Sequence, residues 1–356
     1  MTYRIAIQPD QLTQKNGERQ SFSARWAQLA AQAGLEVRFV DVYAHDLFER
    51  LAGCDGFMWR FGFLPLPRLY GKRLLPAIEH GLGIPVFPSW KSCWHFEDKV
   101  AQHYLLQAAG IPTPRTWVFW ELEPALAFCH EASYPLVLKL GYGIQSGNVR
   151  LLRGAAEAQE WARRMFGIGV SSLDAPPRTA ALRALGRVGR AVQVLRGRPP
   201  MPVNEKVELQ RGYFYVQEFL EGNEFDTRVT VIGNRAFAFR RMNRPDDFRA
   251  SGSGRIVFDP AQVDPGMVRL AFRVARRLDT QSLAIDGMFR GGEHVLSEIS
   301  YTYQSWAVRD CPGHWELRGN PDTGQLDWCE GHLHPEDAIF ADFAEQLAAV
   351  PAVRAR

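Results

Sequence analysis

Cysteine is scarce in this sequence, and its spacing argues against disulfide-rich and zinc-finger domains. The chain of 356 residues contains five cysteines, and no two of them form a CxxC pair. That pattern indicates reduced thiols rather than a disulfide framework or a zinc site. We therefore expect a protein of the reducing cytoplasm.

Long apolar runs and strong net charge are also absent. No segment approaches the ~20 consecutive apolar residues that a membrane-spanning helix needs. Residues 1–10 lack the basic and then apolar pattern of a signal peptide. The formal net charge is only +3, which is too small to indicate nucleic acid by itself. The sequence thus predicts no transmembrane segment and no nucleic-acid partner.

The composition is that of an ordinary globular protein, with 46% hydrophobic and 23% charged residues. The first part of the chain predicts strands at 4–8, 36–40, 56–59 and 84–87, and helices at 21–33 and 66–80. This βαβαβ order is typical of a small parallel sheet with helices on its faces. We therefore predict a first α/β domain at residues 1–92.

Residues 93–215 and 216–356 are predicted to form two further lobes of the α+β kind. A basic segment at about 155–212 reads as an insertion in the first of them. Between 178 and 211 it holds eight basic residues against two glutamates. One interpretation is a solvated amphipathic cover over the lobe. The other is a docking face for an acidic partner, nucleic acid or a membrane surface.

Two carboxylates are predicted to face each other across a hairpin near the C-terminal end. Strands at 285–290 and 294–300, joined by a three-residue turn, place Asp286 opposite Glu298 and Ser300 on the same face. Like charges at that separation destabilise a sheet, so the pair needs a cation or a proton, and removing one acid relieves repulsion. Hard oxygen ligands without His or Cys favour Mg²⁺. The alternative is a one-residue register shift, which separates the two acids.

A lysine ends the predicted strand at 135–139 and is followed by a glycine-rich turn. Residues 141–147 read Gly-Tyr-Gly-Ile-Gln-Ser-Gly, and successive N–H groups of such a turn form an anion nest. The turn is not a P-loop, and Ser146 replaces the third glycine of a dinucleotide fingerprint. Lys139 and this turn therefore predict a phosphate site, with a plain loop as the alternative.

A strand and a set of arginines follow. The apolar strand at 213–220 contains Gln217 and Glu218 and precedes Glu224, a pattern able to hold an adenine and the hydroxyls of a ribose. The stretch at 248–254, Phe-Arg-Ala-Ser-Gly-Ser-Gly, is typical of a mobile loop that presents arginine and small hydroxyl groups to phosphate oxygens. The alternative is that these arginines are solvated surface residues. They are Arg228, Arg240, Arg241, Arg244, Arg249 and Arg255.

In this order, the motifs resemble those of the ATP-grasp superfamily. The similarity is greatest to the branch that holds glutathione synthetase and the ligases that add glutamate to ribosomal protein, and it covers about residues 80–305. It rests on Asp98-Lys99, Gly-Ile-Pro-Thr-Pro at 110–114, Pro-Leu-Val-Leu-Lys at 135–139, the loop to Asn148-Val149, Val-Gln-Glu-Phe-Leu at 216–220, Asp226-Thr-Arg228, Phe248-Arg249, Asp286, and Glu298-Ile-Ser300.

The resemblance implies an ATP-grasp fold, with an N-terminal parallel βαβ (pre-ATP-grasp) domain and two lobes that clamp ATP. Its implied nucleotide contacts are Lys99 and Lys139 on the phosphates, Gly143, Ser146 and Gly147 in a lid loop, Gln217, Glu218 and Leu220 at the adenine, and Glu224 at the ribose. Its implied catalytic arginines are Arg228, Arg241 and Arg249, and its implied metal ligands are Asp286, Glu298 and Ser300. Ser300 departs from the family pattern, which usually has Asn there.

The activity that the resemblance implies is an ATP-dependent ligase that joins a carboxylate to an amine through an acyl phosphate. Its cofactors are ATP and one or two Mg²⁺ ions, or Mn²⁺ in their place. Its partners are small-molecule carboxylate and amine substrates, among them an amino acid or a larger anionic acceptor, and a homo-oligomer is compatible with it. Arg60, and Lys91 or His95, are further candidates for substrate contacts, with a structural role as the alternative for each. The alternatives are a kinase on the same scaffold and an ATP-binding sensor or scaffold without turnover.

Overall fold

The computed structural model describes residues 2–10, 13–15, 18–142, 148–170 and 209–349. Its first sheet has four parallel strands in the order β4–β1–β5–β6. The helix after the first strands begins at Ser21, whose hydroxyl accepts from the N–H of Ala24, and ends before Gly34, where φ is +72°. The elements are β1 (Arg4–Ile7), β2 (Thr13–Lys15), β3 (Glu18–Gln20), α1 (Phe22–Gln32), β4 (Glu36–Phe39), α2 (Leu47–Leu51), β5 (Gly56–Met58), α3 (Pro65–Pro76), a π-helix (Ala77–Leu82) and β6 (Val86–Phe87).

The second sheet is antiparallel, with the strand order β7–β10–β8–β9. Its elements follow α4 (Trp90–Cys93) and α5 (Lys99–Ala108), and they are β7 (Thr116–Phe119), α6 (Leu122–Glu131), β8 (Leu136–Lys139), β9 (Val149–Leu152), α7 (Ala155–Phe166) and β10 (Phe214–Glu218). Helix α7 packs in the core of this lobe through Ala158, Ala162 and Met165. The insertion predicted at about 155–212 stays a prediction. Its residues 171–208 lie outside the described residues.

The third sheet is antiparallel, with the order β15–β14–β11–β12–β16–β17 and with β13 paired to β12. Asp264 caps its long helix by accepting from the N–H of Gly266, and Pro265 occupies the first turn. The elements are β11 (Phe225–Ile232), β12 (Arg235–Met242), β13 (Ile256–Val257), a 3₁₀ turn (Pro260–Gln262), α8 (Pro265–Arg277), β14 (Ser282–Arg290), β15 (Glu293–Ser300), α9 (Ser305–Arg309), β16 (Gly313–Arg318), β17 (Gln325–Glu330) and α10 (Pro335–Ala349).

The two faces of the third sheet are covered differently. One face packs on α8 through residues such as Val229, Val231 and Leu283. Phe237 and Ala284 belong instead to a core that also contains β1, α1 and α10. The C-terminal helix thus joins the third sheet to the N-terminal domain.

Two sequence predictions about the whole chain bear on this architecture. Strand β10 crosses the predicted domain boundary at 215/216, and the boundaries at 92/93 and 215/216 stay predictions. Among the described residues, every helix is too short or too polar to cross a membrane.

Candidate active site

The register of the β14–β15 hairpin brings the two predicted metal acids together. Asp286 pairs with Glu298 as predicted, but the predicted three-residue turn is wrong, because Arg290 pairs with Glu293 across a two-residue turn. Both turn residues, Gly291 and Gly292, have positive φ, which a tight hairpin turn of this kind requires. A β-bulge next to Asp286 then moves the register back by one residue.

The glycine beside the bulge, Gly287, packs closely against helix α8. A Cβ added to Gly287 would lie 2.2 Å from Sδ of the fully buried Met267 on α8. We therefore expect Gly287→Ala to destabilise the protein by about 1–3 kcal/mol, because a packed core accommodates an added methyl group poorly. Urea unfolding measures the effect, with Gly291→Asn as the control, since Asn tolerates positive φ and a Cβ at Gly291 meets no atom within 4 Å. Equal stability of Gly287→Ala and the native protein would contradict this role.

Asp286 is held by two guanidinium groups on neighbouring strands. Arg228 Nε and Nη2 donate to its two oxygens at 2.7 and 2.8 Å. Arg241 Nη2 lies 2.7 Å from Asp286 Oδ2 and also forms a bidentate pair with Asp226 at 2.6 and 2.7 Å. The register explains the cluster, because Arg228 pairs with Asp286 and Asp226 pairs with Arg241. Two carboxylates and two guanidinium groups thus form one network, in which Arg228 is half-buried and the other three side chains are buried.

The network supplies positive charge to Asp286, which the sequence analysis expected to come from a cation or a proton. Burial raises the pKa of Asp286, but the charges of Arg228 and Arg241 outweigh it and hold that pKa well below the usual carboxyl range. Burial raises the pKa of Asp226 despite the charge of Arg241. The sequence-based expectation that the opposed acids need a metal ion or a proton is therefore incomplete, since arginine side chains already supply positive charge at Asp286.

Lys99 supplies the positive charge at Glu298. Its Nζ lies 3.1 Å from Glu298 Oε1. Burial opposes the charged lysine, yet the charges of Glu298 and Glu97 raise its pKa above the ordinary lysine value. Helix α5 is fixed to β15 by the amide of Gln102, which donates to the carbonyl of Ile299 at 2.9 Å and accepts from the N–H of the same residue. Gln102 therefore positions Lys99 against the strand that carries Glu298.

Lys139 lies at the end of β8 with little compensation for its charge. The side chain is buried, and its Nζ is 3.5 Å from the carbonyl oxygen of Ser297. Burial and the nearby charge of Lys99 lower the pKa of Lys139 to about 8, although Glu298 opposes the change. A buried lysine of this kind favours a ligand that brings negative charge.

Several of these side chains line a cavity of about 500 Å³. Of the predicted site residues, those that line it are Lys99, Arg228, Arg241, Asp286, Glu298 and Ser300. The Ser300 hydroxyl donates to the carbonyl of Thr302 at 2.6 Å, which leaves its oxygen lone pairs free to accept. Residues 250–254 form part of the opposite wall.

The floor of the cavity carries two buried hydroxyls that the sequence reasoning missed. Thr230 Oγ1 and Thr302 Oγ1 line the cavity and have no hydrogen-bond partner within the part of the chain that the structure describes. Thr230 follows Arg228 on the same face of β11, and Ala284 opposite it is too small to fill the space. Phe63, Phe239, Tyr303 and Trp306 supply aromatic walls.

The predicted adenine residues lie at the end of β10, away from this cavity. The buried amide of Gln217 donates to Thr116 Oγ1 at 2.9 Å. The Glu218 carboxylate accepts from the backbone N–H of Arg115 at 2.7 Å and pairs with Arg290 at 3.4 Å. Leu220 is half-buried and Glu224 is exposed.

Other predicted residues are placed apart from the cavity or cannot be located. Arg249 forms a bidentate pair with Asp247 at 2.8–3.0 Å and does not line the cavity. The predicted lid residues Gly143, Ser146 and Gly147 lie outside the described residues.

The three further candidates for substrate contacts, Arg60, Lys91 and His95, lie in three different surroundings. Arg60 Nη2 donates to the carbonyl of Tyr303 at 2.9 Å, and Lys91 pairs with Asp279 at the surface. His95 is fully buried, and burial lowers its pKa to about 3. Of the three, only Arg60 contacts a residue that lines the cavity.

Comparison of sequences finds a short stretch of similarity. No protein-family model matches the chain. Over 92 residues, or 26% of its length, the chain is 32% identical to N5-carboxyaminoimidazole ribonucleotide synthase from Mycobacterium tuberculosis. The match covers 21% of that protein, so the chain spans about a fifth of the length of the curated relatives that it matches.

Comparison of structures covers most of the chain. D-alanyl-alanine synthetase A from Vibrio cholerae aligns with a TM-score of 0.55 over 98% of this chain and 99% of its own, at 10% identity. N5-carboxyaminoimidazole synthetase from Staphylococcus aureus, solved with ADP, aligns with a TM-score of 0.53 over 87% and 73%, at 11% identity. The chain has the ATP-grasp fold, and the predicted α/β fold class is confirmed. Because the neighbours are ligases of different types, they select no branch of the superfamily.

Proposed function

We propose that this ATP-grasp protein is an ATP-dependent ligase that joins a carboxylate to an amine through an acyl phosphate. The observation that carries the proposal is the convergence of two acids, two arginines and Lys99 on one cavity beside the buried Lys139. Phosphoryl transfer depends on positioning and charge neutralisation, and this is the charge arrangement that it needs.

We place the nucleotide between the end of β10 and Lys139. Glu218 pairs with Leu136, three residues before Lys139 on β8, so the two points are roughly 10 Å apart along the strand. That span suits a nucleotide. In this placement its base contacts Gln217, Glu218 and Leu220. Its ribose contacts Glu224, and its phosphates contact Lys99 and Lys139. The lid role of Gly143, Ser146 and Gly147, which lie outside the described residues, stays a prediction of the sequence.

The acids suit a magnesium ion. Asp286 and Glu298 offer hard oxygens side by side, and a carboxylate keeps lone pairs beyond those that a guanidinium occupies. With Ser300 as a third oxygen, they would hold one or two Mg²⁺ ions, or Mn²⁺, whose charge offsets that of the transferred phosphoryl group. Arg228 and Arg241, and Arg249 once it leaves Asp247, orient the phosphoryl group and the carboxylate that attacks it.

The reaction then proceeds in two steps. A carboxylate oxygen of the substrate attacks the γ-phosphorus, and ADP leaves. The amine next attacks the acyl carbon, loses a proton, and expels phosphate with one oxygen of the original carboxylate. The enclosing cavity limits access of water to the acyl phosphate.

The second substrate is placed on the floor of the cavity. Aromatic walls and two hydroxyls without a partner among the described residues fit a compact molecule with an apolar body and a polar end, such as an amino acid. A larger anionic acceptor would have to extend out of this cavity. We also place the reaction in the cytoplasm, because all five cysteines are free thiols.

The hydroxyl of Thr230 provides a test of this placement. Thr230→Val should raise KM for the substrate other than ATP about 3–10-fold, since one hydrogen bond is lost. The same change should stabilise the free protein by about 1 kcal/mol, because it removes a buried hydroxyl that has no partner in the part of the chain that the structure describes. Thr227→Val is the matched control, as Thr227 lies on the same strand and alternates to the opposite face. An unchanged KM together with a gain in stability would place the substrate elsewhere.

The activity itself is tested by screening amino acids and related carboxylates in pairs for release of ADP. A ligase releases ADP only when both a carboxylate and an amine are present, and heavy-oxygen label in the carboxylate appears in phosphate. A stable phosphorylated product would instead identify a kinase. Tight binding of ATP without ADP release in any pair would identify a sensor or scaffold.

A further inference from the structure

A second group of polar side chains lies on the β16–β17 hairpin. His314 and Cys329 form a directly opposed pair across the two strands, and Glu316 follows His314 on the same face. Trp315 and Trp328 alternate to the other face, where they pack on the core beside α8. His314, Glu316 and Cys329 do not line the cavity of about 500 Å³.

The geometry of this group matches a single small ion. One ligand atom from each residue lies within 4.8 Å of the other two. His314 Nε2 is 3.5 Å from Glu316 Oε1. In a tetrahedral zinc site, bonds of about 2.0–2.3 Å place neighbouring ligand atoms roughly 3.3–3.6 Å apart. The group therefore reaches zinc geometry through small side-chain rotations.

The chemistry of the three side chains indicates which metal they would bind. His314 is buried, and its Nδ1 atom has no hydrogen-bond partner among the described residues. An imidazole beside a thiol and a carboxylate is a ligand set for zinc, whereas Mg²⁺ and Ca²⁺ select oxygen ligands.

We propose that His314, Glu316 and Cys329 bind one zinc ion, with water as the fourth ligand. Asp327, opposite Glu316, is not required as a ligand, because it already pairs with Arg318 at 3.5 Å. The ion ties β17, the terminal strand of the sheet order, to β16. The sequence-based expectation of no zinc site considered only closely spaced cysteines, and this site arises from pairing between strands.

Cobalt titration of the chelator-treated full-length protein tests the proposal. Cobalt replaces zinc in such sites and gives a thiolate-to-metal charge-transfer band, which oxygen ligands at the proposed Mg²⁺ site do not give. We expect the band in the native protein, its loss in Cys329→Ala, and its retention in Cys54→Ala, which removes a thiol from the N-terminal domain. Absence of the band, or its persistence in Cys329→Ala, would overturn the proposal.

A second variant covers the case in which Cys329→Ala fails to fold. Glu316→Gln changes a half-exposed side chain and leaves the thiol in place. It should keep the cobalt band and weaken zinc affinity at least about tenfold, as measured by competition with a metal indicator. Unchanged affinity in Glu316→Gln would remove Glu316 from the ligand set and contradict the site as proposed. These metal readouts do not depend on ligase activity.

Discussion

Replacing Lys139 by methionine is expected to stabilise the free protein and, at the same time, to abolish measurable ATP binding. The pKa of Lys139 falls from 10.5 to about 8 in the folded protein, mainly through burial, which corresponds to a penalty of about 3 kcal/mol on the charged form. Below pH 8 the lysine is charged in both folded and unfolded states, so the folded state carries the full penalty. The gain from Lys139→Met is therefore largest below pH 8 and declines as the pH rises further.

Calorimetry and thermal unfolding together check this prediction. Phosphates beside Lys139 should raise its pKa again, so ATP binding near pH 8 should take up protons, detected by titration in buffers of different ionisation enthalpy. Lys91→Met is the control, since Lys91 is exposed and pairs with Asp279 at the surface, and it should change neither stability nor affinity appreciably. Normal ATP affinity in folded Lys139→Met would remove Lys139 from the nucleotide site.

The β14–β15 hairpin shows which structural features local sequence patterns can predict. They predicted both strands and the pairing of Asp286 with Glu298, yet they missed the two-residue turn and the bulge, whose effects on the register cancel. The bulge could not be read locally, because the N–H of Leu296 bonds to the carbonyl of Pro112, far away in the chain. The predicted pairing of Asp286 with Glu298 is therefore correct, although the turn and the uninterrupted register from which it was predicted are wrong.

The charge network shows what only tertiary structure supplies. Alternation along β11 indicates that Asp226 and Arg228 share a face, but their partners depend on the register with β12 and β14. The hydroxyls of Thr230 and Thr302 become notable only once burial and the absence of a described partner are known. The order of motifs was enough to predict the fold, whereas the charge balance of the site required the paired strands.

The charge balance around Asp286 changes the expected effect of Asp286→Asn on the stability of the free protein. From the sequence alone, removing one of two opposed acids should relieve repulsion and leave the free protein as stable or more so. In the structure, Asp286→Asn removes the counter-charge of Arg228, and Arg241 keeps only Asp226. We therefore expect a loss of about 3–5 kcal/mol, the usual cost of breaking a buried ion pair.

The same substitution should lower the rate of ADP formation more than about 100-fold, because an acid that we assign to the metal and the phosphoryl group is lost. The pKa of Asp286 is lowered in the folded protein, so its contribution to stability is present in full above the ordinary carboxyl pKa, begins to decline as the pH falls below about 4, and is lost only below the folded-state pKa. Native protein and Asp286→Asn should thus converge in stability in acid. Urea unfolding at pH 7 and pH 3, with an ADP assay at pH 7, measures both effects.

Asp264→Asn is the matched control, since Asn also caps helices and Asp264 pairs with His294 outside the cavity. An active Asp286→Asn with normal dependence on Mg²⁺ would show that Asp286 is no metal ligand.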